Sequence, residues 1–234
     1  MEKRDKIYEG KAKILYTTDS PDLLIQFFKD DATAFNAKKK GTIHDKGIIN
    51  NKISSKIFEY LESCGIPTHF EKSLNDREML VKKVKILPLE VIVRNVAAGS
   101  LSRLLNIPEG TQLKCPVLEF CYKEDSLNDP LINEYHILAL GYASEEELAT
   151  VKEYTFKINE LMKKFFGAIN LDLIDFKLEF GKFKNKVILA DEISPDTCRL
   201  WEKGTGKRMD KDRFRRDLGG IEEAYQEVLS RVTQ

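Results

Sequence analysis

The sequence has no long apolar run, and this excludes two broad classes of protein. No stretch approaches the roughly 18 consecutive apolar residues of a membrane-spanning helix. The charged start, residues 1–6, is not followed by the apolar core of a secretory signal. We therefore expect a cytoplasmic protein that is neither exported nor held in a membrane.

An excess of charge of either sign is also absent. Lysine plus arginine and aspartate plus glutamate number 38 each. The composition therefore gives no reason to expect a nucleic acid or an anionic membrane as a partner. The chain has 234 residues, of which 42% are hydrophobic. That is enough to bury a core in one large domain or in two closely packed lobes.

Cysteine and histidine are scarce and widely separated. No CxxC pair occurs, and no histidine lies near a cysteine at the spacing of zinc ligands. A zinc site and a disulfide framework are therefore not expected, and reduced thiols fit a cytoplasmic protein. We expect each histidine to lie at the surface or beside a site rather than to act as a catalyst. The residues concerned are Cys64, Cys115, Cys121, Cys198, His44, His69 and His136.

The chain changes from short strands to longer helices along its length. Residues 48–64 repeat apolar side chains at helical spacing, and Ser144 caps a second helix that should run to about Phe166. Residues 30–46 are polar and aperiodic, which predicts an irregular, mobile loop. This order indicates the α+β class rather than repeated βαβ units. Further strands are expected at 6–8, 13–17, 23–28, 79–86 and 89–96, and further helices at 101–106, 210–217 and 221–232.

Residues 171–181 place charged groups at every second position of a predicted strand. Apolar side chains fall on one side of the period-two pattern and charged ones on the other. A row of charges most often faces water, so a solvent-exposed charge ladder is one interpretation. The apolar set is Ile174, Phe176, Leu178 and Phe180, and the charged set is Asp175, Lys177 and Glu179.

A second interpretation comes from residues 187–192, which are typical of the returning strand of a hairpin. That hairpin would bring Asp191 opposite Glu179 or one residue from it. Cross-strand neighbours lie roughly 5 Å apart at Cβ, where like charges repel. A divalent cation between the two carboxylates would remove this repulsion. Oxygen ligands suit Mg²⁺, which commonly arrives with nucleotide phosphates.

Residues 8–13 (YEGKAK) predict a tight turn that could cover a polyphosphate. Gly10 would let the backbone approach a ligand closely, and Lys11 and Lys13 would supply two cations. The segment matches no established phosphate-loop pattern, so an ordinary turn with exposed lysines stays open. Residues 204–207 (GTGK) resemble part of a phosphate loop but lack its preceding strand, which predicts a surface turn.

Arg94 is predicted to emerge from an apolar strand, where its guanidinium needs an anionic partner. The planar fork of arginine matches phosphate or carboxylate. Residues 97–99 are small, and Ser100 opens a short helix whose free N–H groups attract anions. Phosphate binding and a structural ion pair are both compatible with this pattern.

Residues 193–201 are predicted to form a loop directly after the proposed metal strand. Functional side chains concentrate on such loops. Asp196 and Arg199 would then reach a substrate, or would clasp each other and stabilise the turn.

Several of these segments together resemble a known family. LPLEVIVRNVAAGS (87–100) and LIDFKLEFG (173–181) look like the two signature stretches of the SAICAR synthetases, the phosphoribosylaminoimidazole-succinocarboxamide synthases. The resemblance extends over nearly the whole chain in the same order. The further similar segments are YEGKAK (8–13), GIINNKIS (47–54), DEISPDTCRLW (191–201) and MDKDRFRRDLGG (209–220).

The resemblance implies an ATP-dependent ligase of purine biosynthesis. Such enzymes join L-aspartate to the carboxylate of an imidazole ribonucleotide (CAIR), giving SAICAR, ADP and phosphate. An acyl phosphate intermediate is expected. The implied fold is two-lobed α+β, with a kinase-like antiparallel N-terminal lobe (1–84) and an ATP-grasp-like C-terminal lobe (85–234). A homodimer is expected as well.

The resemblance also implies roles for individual residues. Backbone groups at Lys82 and Val84 would meet the adenine. Glu179 and Asp191 would hold Mg²⁺, and Lys177 would neutralise the transferring phosphoryl group. Gly10, Lys11, Ala12 and Lys13 would cover the phosphates of ATP.

On the substrate side, three residues would grip the phosphate and carboxylate of CAIR: Arg94, Ser100 and Arg199. Asp196 would lie near the ribose or the amino group of that nucleotide. Asp175 is a further catalytic candidate.

Two other function classes remain compatible with the same residues. A small-molecule kinase would use the same nucleotide lobe and metal pair but would need no amine. A non-catalytic nucleotide sensor would bind ATP without turnover. An assay of ADP release that omits each substrate in turn separates these functions.

Overall fold

The structure, a computed structural model, describes residues 2–34 and 39–234. Six α-helices, one short 3₁₀ helix (Asp125–Leu127) and fourteen strands are defined in these two ranges. The helices are α1 (Lys46–Ser63), α2 (Gly99–Leu105), α3 (Glu134–Ala139), α4 (Glu145–Ala168), α5 (Asp212–Arg215) and α6 (Ile221–Val232). The strands of the first part are β1 (Lys3–Glu9), β2 (Lys13–Thr18), β3 (Leu23–Phe28), β4 (Asp31–Ala34), β5 (Lys39–Thr42), β6 (Phe70–Asn75) and β7 (Glu78–Lys82). Those of the second part are β8 (Lys85–Ile86), β9 (Leu89–Val96), β10 (Gln112–Tyr122), β11 (Leu131–Ile132), β12 (Leu171–Phe183), β13 (Lys186–Ala190) and β14 (Cys198–Glu202).

Five strands of the first part form an antiparallel sheet in the order β1-β2-β3-β7-β6. β1 and β2 flank the turn at Gly10, where the Gly10 amide donates to the Lys13 carbonyl over 2.9 Å. The predicted turn and its flanking strands are therefore confirmed. This sheet forms one wall of the cleft described below.

The segment 30–46 was wrongly predicted to be an irregular loop throughout. β4 and β5 pair antiparallel in register, with Asp31 opposite Thr42 and Ala32 opposite Gly41. Among the ribbon residues whose burial is described (31–33 and 39–42), Ala32 alone is buried, so no apolar alternation marks the strands in the sequence. Backbone hydrogen bonds hold the pair together instead. Residues 35–38 lie outside the described residues.

The second sheet has seven strands and is built around β12. β9 and β14 pair with its first half, and β13 and β8 pair with its second half. Ile174, Phe176, Leu178 and Phe180 are all buried, with at most 2% of each residue exposed. A register shift between Leu173 and Asp175 places Ile174 in a separate small cluster with Val96 and Ala98. From Asp175 onward the period-two pattern is confirmed, and it sets one face of β12 toward the core and the other toward the cleft.

Helices cover the sheets and complete one continuous core. The apolar stripe of α1 (Ile49, Ile53, Ile57 and Leu61) is completely buried. The Ser144 hydroxyl accepts from the Glu147 amide, and the Glu147 carboxylate accepts from the Ser144 amide, which makes a capping box at the start of α4. α6 packs against α1, so the end of the chain lies beside its first helix.

Besides β4 and β5, four strands were not predicted: β6, β10, the two-residue β11 and β14. β6 buries only Phe70 well, so its sequence does not alternate. β10 contains Pro116, a residue that argues against a strand. β14 occupies the second half of the segment 193–201, which was wrongly predicted to be a loop along its whole length.

Mixed helices and antiparallel sheets confirm the α+β class. Residues 204–207 form a turn with mostly exposed residues, as predicted. In the two described ranges, every helix is too short or too polar to cross a bilayer. The lobe boundary between residues 84 and 85 stays a prediction.

Candidate active site

A cleft of about 1540 Å³ lies between the two sheets. Every residue that the sequence analysis assigned to a site lines it. They are Gly10, Lys11, Ala12, Lys13, Lys82, Val84, Arg94, Ser100, Asp175, Lys177, Glu179, Asp191, Asp196 and Arg199. The structure thus brings together residues from opposite ends of the chain.

Four of these residues form an acid–lysine cluster, defined here as Lys13, Lys177, Glu179 and Asp191. Glu179 pairs with Ala190 across the β12–β13 hairpin, so Asp191 is one residue beyond the directly opposite position. The Lys177 ammonium hydrogen-bonds Glu179 Oε1 and lies 3.3 Å from Asp191 Oδ2. The predicted juxtaposition of the two acids is therefore confirmed, with an ammonium group between them.

Other cations surround the same two acids. Lys13 Nζ hydrogen-bonds Asp191 and lies 3.0 Å from Glu192 Oε1. Lys123 Nζ donates to Glu179 Oε1 over 2.6 Å. Each carboxylate of the acid–lysine cluster therefore faces two ammonium groups.

Burial and charge act in opposite directions on this cluster. Burial alone would lower the pKa of Lys177, but the charges of Glu179, Asp191 and Glu90 outweigh it and raise that pKa well above its usual value. The pKa of Lys13 is raised in the same way, by the charges of Asp191 and Glu192. Burial would raise the pKa of Asp191, yet Lys13 and Lys177 hold it below its usual value. Lys13, Lys177 and Asp191 are therefore charged near neutral pH.

The solvent-exposed charge ladder is the wrong interpretation. The side chain of Glu179 is 4% exposed and that of Asp175 is 5% exposed. Lys177, between them along β12, is partly covered as well. The charged face of the strand therefore lines the cleft rather than open solvent.

The acid–lysine cluster offers the donor type that a hard divalent cation requires. Glu179 and Asp191 supply carboxylate oxygens, which Mg²⁺ prefers. The two carboxylates already share one cation, the Lys177 ammonium group. Within residues 2–34 and 39–234, no three His, Cys, Asp or Glu side chains converge on a common point. Phosphate oxygens and water would therefore have to complete the coordination of a metal ion.

An arginine cluster, defined as Arg94, Asp175 and Arg199, lies farther along the same face of β12. Asp175 is opposite Arg94 on β9 and opposite Arg199 on β14. Its Oδ2 accepts from Arg94 Nη1 over 3.1 Å and from Arg199 Nη1 over 2.7 Å. The structural ion pair expected as one alternative for Arg94 is therefore present.

Groups outside the arginine cluster fix both guanidinium forks. Arg94 donates to Glu119 Oε2 over 2.8 Å and to Ser100 Oγ over 2.7 Å. Arg199 Nε donates to Asp212 Oδ2 over 2.8 Å. Gly99 adopts φ 57, and a Cβ there would lie 2.5 Å from Arg199 Nη2. Only glycine leaves room for the guanidinium at this position.

Asp196 does not clasp Arg199, so that alternative is wrong. Its carboxylate contacts two lysines, Lys46 at 2.9 Å and Lys211 at 3.2 Å, and it accepts from the Tyr225 hydroxyl over 2.7 Å. Burial would raise the pKa of Asp196, but the two lysines lower it below its usual value. Lys211 lines the cleft, so Asp196 ties the cleft wall to α1 and α6.

The side of the cleft that the sequence analysis assigned to a nucleotide is less polar. Ala12, Leu15, Leu24 and Val81 line it together with Val84. This side of the cleft is therefore bounded by apolar side chains and by residues 82–84, the chain segment that links the two sheets.

Two lysines of this side already have partners. Lys11 Nζ donates to Asp125 Oδ1 over 2.6 Å, and Lys82 Nζ donates to the Thr68 carbonyl over 3.0 Å. Lys11 therefore joins the β1–β2 turn to the opposite side of the cleft. The Gly10 turn lines this side of the cleft as well.

Sequence reasoning missed several polar residues of the cleft and its support. Lys46, Lys123 and Tyr225 lie in no segment with a binding pattern, and no local signal marks them. Lys211 falls within the segment 209–220, which resembles the family. That resemblance could have identified Lys211 as a residue of the cleft. Glu119 lies on β10, a strand that was not predicted.

Comparison with known proteins gives consistent matches over the whole chain. A family model described as SAICAR synthetase matches residues 6–232. The phosphoribosylaminoimidazole-succinocarboxamide synthase of Clostridium kluyveri is 60% identical over 233 residues, covering 100% of this chain and 99% of that protein.

Solved structures similar to this chain carry the same family name. The crystal structure of phosphoribosylaminoimidazole-succinocarboxamide synthase from Ehrlichia chaffeensis is 50% identical, with a TM-score of 0.96 and coverage of 98% of both chains. A structure described as SAICAR synthetase (Type-2) in complex with ADP is 48% identical, with a TM-score of 0.94 and coverage of 97% of both chains.

Proposed function

The chain belongs to the SAICAR synthetase family of purine-biosynthesis ligases, and from this membership we propose how its cleft performs the reaction. The enzyme uses ATP to join L-aspartate to the carboxylate of CAIR, giving SAICAR, ADP and phosphate. The observation that carries the proposal is that all the residues implied by the family motifs line one cleft.

The reaction is expected to proceed through an acyl phosphate. A carboxylate is a poor electrophile for an amine, so an oxygen of the CAIR carboxylate first attacks the γ-phosphorus of ATP and ADP leaves. The aspartate amine then attacks the acyl carbon, loses a proton and displaces inorganic phosphate. Phosphoryl transfer depends on positioning and charge neutralisation more than on covalent protein chemistry. A cleft rich in fixed cations suits that requirement.

In this proposal ATP occupies the apolar side of the cleft. The adenine packs between Leu24 and Val81 and meets the backbone at Lys82 and Val84. The Gly10 turn covers the phosphates, which face Ala12, Lys11 and Lys13. The relative described as an ADP complex supports nucleotide binding by this fold.

We propose Glu179 and Asp191 as the residues that hold Mg²⁺. When bound, the ion supplies positive charge to the nucleotide phosphates. Lys177 then turns from its two carboxylates toward the transferring phosphoryl group and neutralises its charge. The convergence of both acids on one ammonium group supports this assignment.

CAIR is proposed to bind at the arginine cluster. Arg94, Ser100 and Arg199 grip its phosphate and carboxylate, and Asp175 orients both guanidinium groups. Asp196 acts near the ribose or the amino group of CAIR. Preformed arginine forks lose little entropy when they bind an anion, which favours phosphate recognition there.

A coupled assay of ADP release tests the proposed function. Turnover should require ATP, CAIR and L-aspartate together, and omission of L-aspartate should abolish the formation of SAICAR. ADP release that is equally fast without the amine would indicate a small-molecule kinase. Binding of ATP without any turnover would indicate a nucleotide sensor.

Two further features belong to the proposal. Residues 1–84 would act as the lobe that covers the nucleotide, and residues 85–234 as the lobe that binds CAIR and the metal ion. The enzyme would work in the cytoplasm as a homodimer. Sedimentation equilibrium at micromolar concentration distinguishes a dimer of 26.9 kDa chains from a monomer.

A further inference from the structure

Two cations on the wall of the cleft, Lys211 and Arg215, have no role in the proposed mechanism. Both line the cleft. Lys211 directly precedes α5, and Arg215 is the last residue of this helix. The Arg215 amide donates to the Lys211 carbonyl over 3.0 Å, so one helical turn separates the two residues. Side chains at this spacing lie on one face, with Cβ atoms about 5–6 Å apart. We refer to them as the α5 cation pair.

The ammonium group of Lys211 is short of negative partners. The side chain is 13% exposed, and Nζ lies 3.2 Å from Asp196 Oδ2. The same oxygen accepts from Lys46 Nζ over 2.9 Å. Burial lowers the pKa of Lys211, and the charges of Lys46 and Arg215 act in the same direction, so Asp196 does not fully compensate the ammonium group. An ammonium group carries three donor hydrogens, which leaves donors for a further acceptor.

The guanidinium of Arg215 is also only partly engaged. Nη1 donates to Asp212 Oδ1 over 2.7 Å, and the other oxygen of Asp212 accepts from Arg199. In the part of the chain that the structure describes, Nε and Nη2 of Arg215 have no acceptor. Each carboxylate beside the α5 cation pair is therefore shared with another cation. Both members of the pair can accept an additional anion.

The α5 cation pair lies beside the region where the new amide bond would form. On one side it contacts Asp196, which precedes Thr197, and the Thr197 carbonyl accepts from the Lys177 amide over 2.9 Å. On the other side it contacts Asp212, the partner of Arg199. In the proposed function, CAIR extends from the arginine cluster toward Lys177. The pair therefore flanks the path of CAIR between its phosphate and its carboxylate.

The β4–β5 ribbon packs against α5 and bounds the same corner of the cleft. Lys39 Nζ donates to the Phe214 carbonyl over 2.6 Å. A Cβ at Gly41 would lie 3.0 Å from the Phe214 ring, so this strand passes close to the helix. Thr33 and Thr42 line the cleft from the ribbon. The corner that contains the α5 cation pair is therefore bounded by the ribbon as well as by α5.

We propose that the α5 cation pair binds the two carboxylates of L-aspartate and so selects a dicarboxylic amino acid as the amine substrate. This inference rests on the proposed function. The lysines of the acid–lysine cluster and the arginines of the arginine cluster already serve the phosphates of ATP and CAIR. Two cations one helical turn apart suit two carboxylates that are separated by two carbon atoms. The amine of L-aspartate then faces the acyl carbon of CAIR.

The kinetic test uses Lys211→Gln and Arg215→Gln. Each substitution should lower kcat/KM for L-aspartate by about 10- to 100-fold, the effect of one lost hydrogen bond between charged groups. The KM values for ATP and CAIR should stay within about two-fold of wild type. L-Asparagine keeps only the α-carboxylate. The variant that has lost the partner of the side-chain carboxylate should therefore lower the preference for L-aspartate over L-asparagine by the same factor.

Conservative variants and a neighbouring lysine provide the controls. Lys211→Arg and Arg215→Lys keep the charge and should restore most of the affinity for L-aspartate. Lys207→Gln should behave as wild type, since Lys207 is exposed and lies outside the cleft.

A binding measurement reads the same contacts without turnover. Succinate has both carboxylates of L-aspartate but no amine. Calorimetric titration of the enzyme with succinate, in the presence of ADP and CAIR, should show binding to wild type that is about 10- to 100-fold weaker in each glutamine variant. Butyrate, with one carboxylate, should bind more weakly to wild type than succinate does.

The outcomes separate this inference from the proposed function. If wild-type enzyme fails to make SAICAR from ATP, CAIR and L-aspartate, the proposed function is wrong. If it makes SAICAR but both glutamine variants keep the wild-type KM for L-aspartate and affinity for succinate, the inference is wrong. A higher KM for CAIR alone would assign the pair to CAIR and overturn the inference. A lower melting temperature with equal losses for every substrate would show a structural role only and would also overturn it.

Discussion

The acid–lysine cluster and the arginine cluster are both centred on the cleft-facing side of β12, yet they are built differently. In the first, each carboxylate contacts two lysine ammonium groups on flexible stems. In the second, Asp175 lies between two arginines, and Glu119 and Asp212 hold their other N–H groups. The lysines therefore have alternatives to their present partners, and the arginines are fixed.

This difference corresponds to two chemical tasks. A phosphoryl group in transfer changes its charge distribution, and a rotatable ammonium group can follow it. A substrate phosphate must instead be held in one orientation, which a fixed guanidinium fork achieves with two parallel hydrogen bonds. We infer that β12 carries a reactive half and a positioning half.

The largest expected effect comes from the reactive half. Lys177→Met should lower turnover by at least about 10³-fold, because it removes a positioned charge from the transition state. Lys182→Met is the matched control, since Lys182 lies on the same strand but pairs with Glu147 outside the cleft. Steady-state kinetics of SAICAR formation measures both. Equal rates for the two variants would remove the distinction between the clusters.

Asp175→Asn tests the positioning half. The substitution leaves two buried guanidinium groups with an uncharged amide between them, and breaking a buried ion pair costs about 3 kcal/mol. Urea unfolding should show this loss. Asp172→Asn, an exposed carboxylate on the same strand, should change the free energy of unfolding by less than about 0.5 kcal/mol. Similar stabilities of the two variants would contradict the assigned role of Asp175.

Tyr225→Phe tests the surroundings of Asp196, whose carboxylate contacts two lysines, as in the acid–lysine cluster, and also accepts from the buried Tyr225 hydroxyl. The variant removes one hydrogen bond to a buried carboxylate, so the free energy of unfolding should fall by about 1.5 kcal/mol. Tyr135→Phe is the control, because Tyr135 is 83% exposed. If Tyr225→Phe is as stable as this control, Asp196 does not depend on α6.

The pH dependence of stability near neutrality should come from Asp210, which accepts from the backbone amide of Asp212 beside the arginine cluster. Burial and the charge of Asp212 raise the pKa of Asp210 from 3.8 to about 7. Between these values the folded protein keeps a proton that the unfolded chain releases, so stability is highest below the lower pKa and falls as pH rises through the folded value. Between pH 6 and pH 8 the expected loss from this group is about 1 kcal/mol.

Thermal unfolding at these two pH values, with Asp210→Asn for comparison, measures the effect. The variant should lose less stability than the wild type over the same interval. Lys13, Lys177 and Asp191 should contribute no slope there, because the pKa values of the two lysines are raised and that of Asp191 is lowered, in each case away from neutrality. An equal slope in wild type and variant would assign the pH dependence to other groups.

The sequence allowed the central hairpin and the cleft residues to be predicted because both leave local patterns. Alternation along β12 identified its two faces, and the spacing from Glu179 to Asp191 located the paired acids. The family motifs then assigned residues to the substrates. Sequence reasoning also recognised the apolar stripe of α1 and the cap of α4, since both depend on neighbours within one or two turns.

Other features depend on contacts between distant parts of the chain. Burial of the Lys46 ammonium group requires an anionic partner, and Asp196, 150 residues away in the sequence, is that partner. Nothing near Lys46 indicates this. Likewise, Asp196 was paired with Arg199 in the sequence analysis because the two are close along the chain. The structure places Arg199 on β14, where Asp175 and Asp212 are its neighbours.

The docking of α6 against α1 has a consequence for local unfolding. Tyr225 on α6 donates to the same Asp196 carboxylate that accepts from Lys46 on α1. Fraying of α6 would therefore loosen a wall of the cleft while both sheets stay intact, so one surface helix links the breathing of the fold to the shape of its cavity.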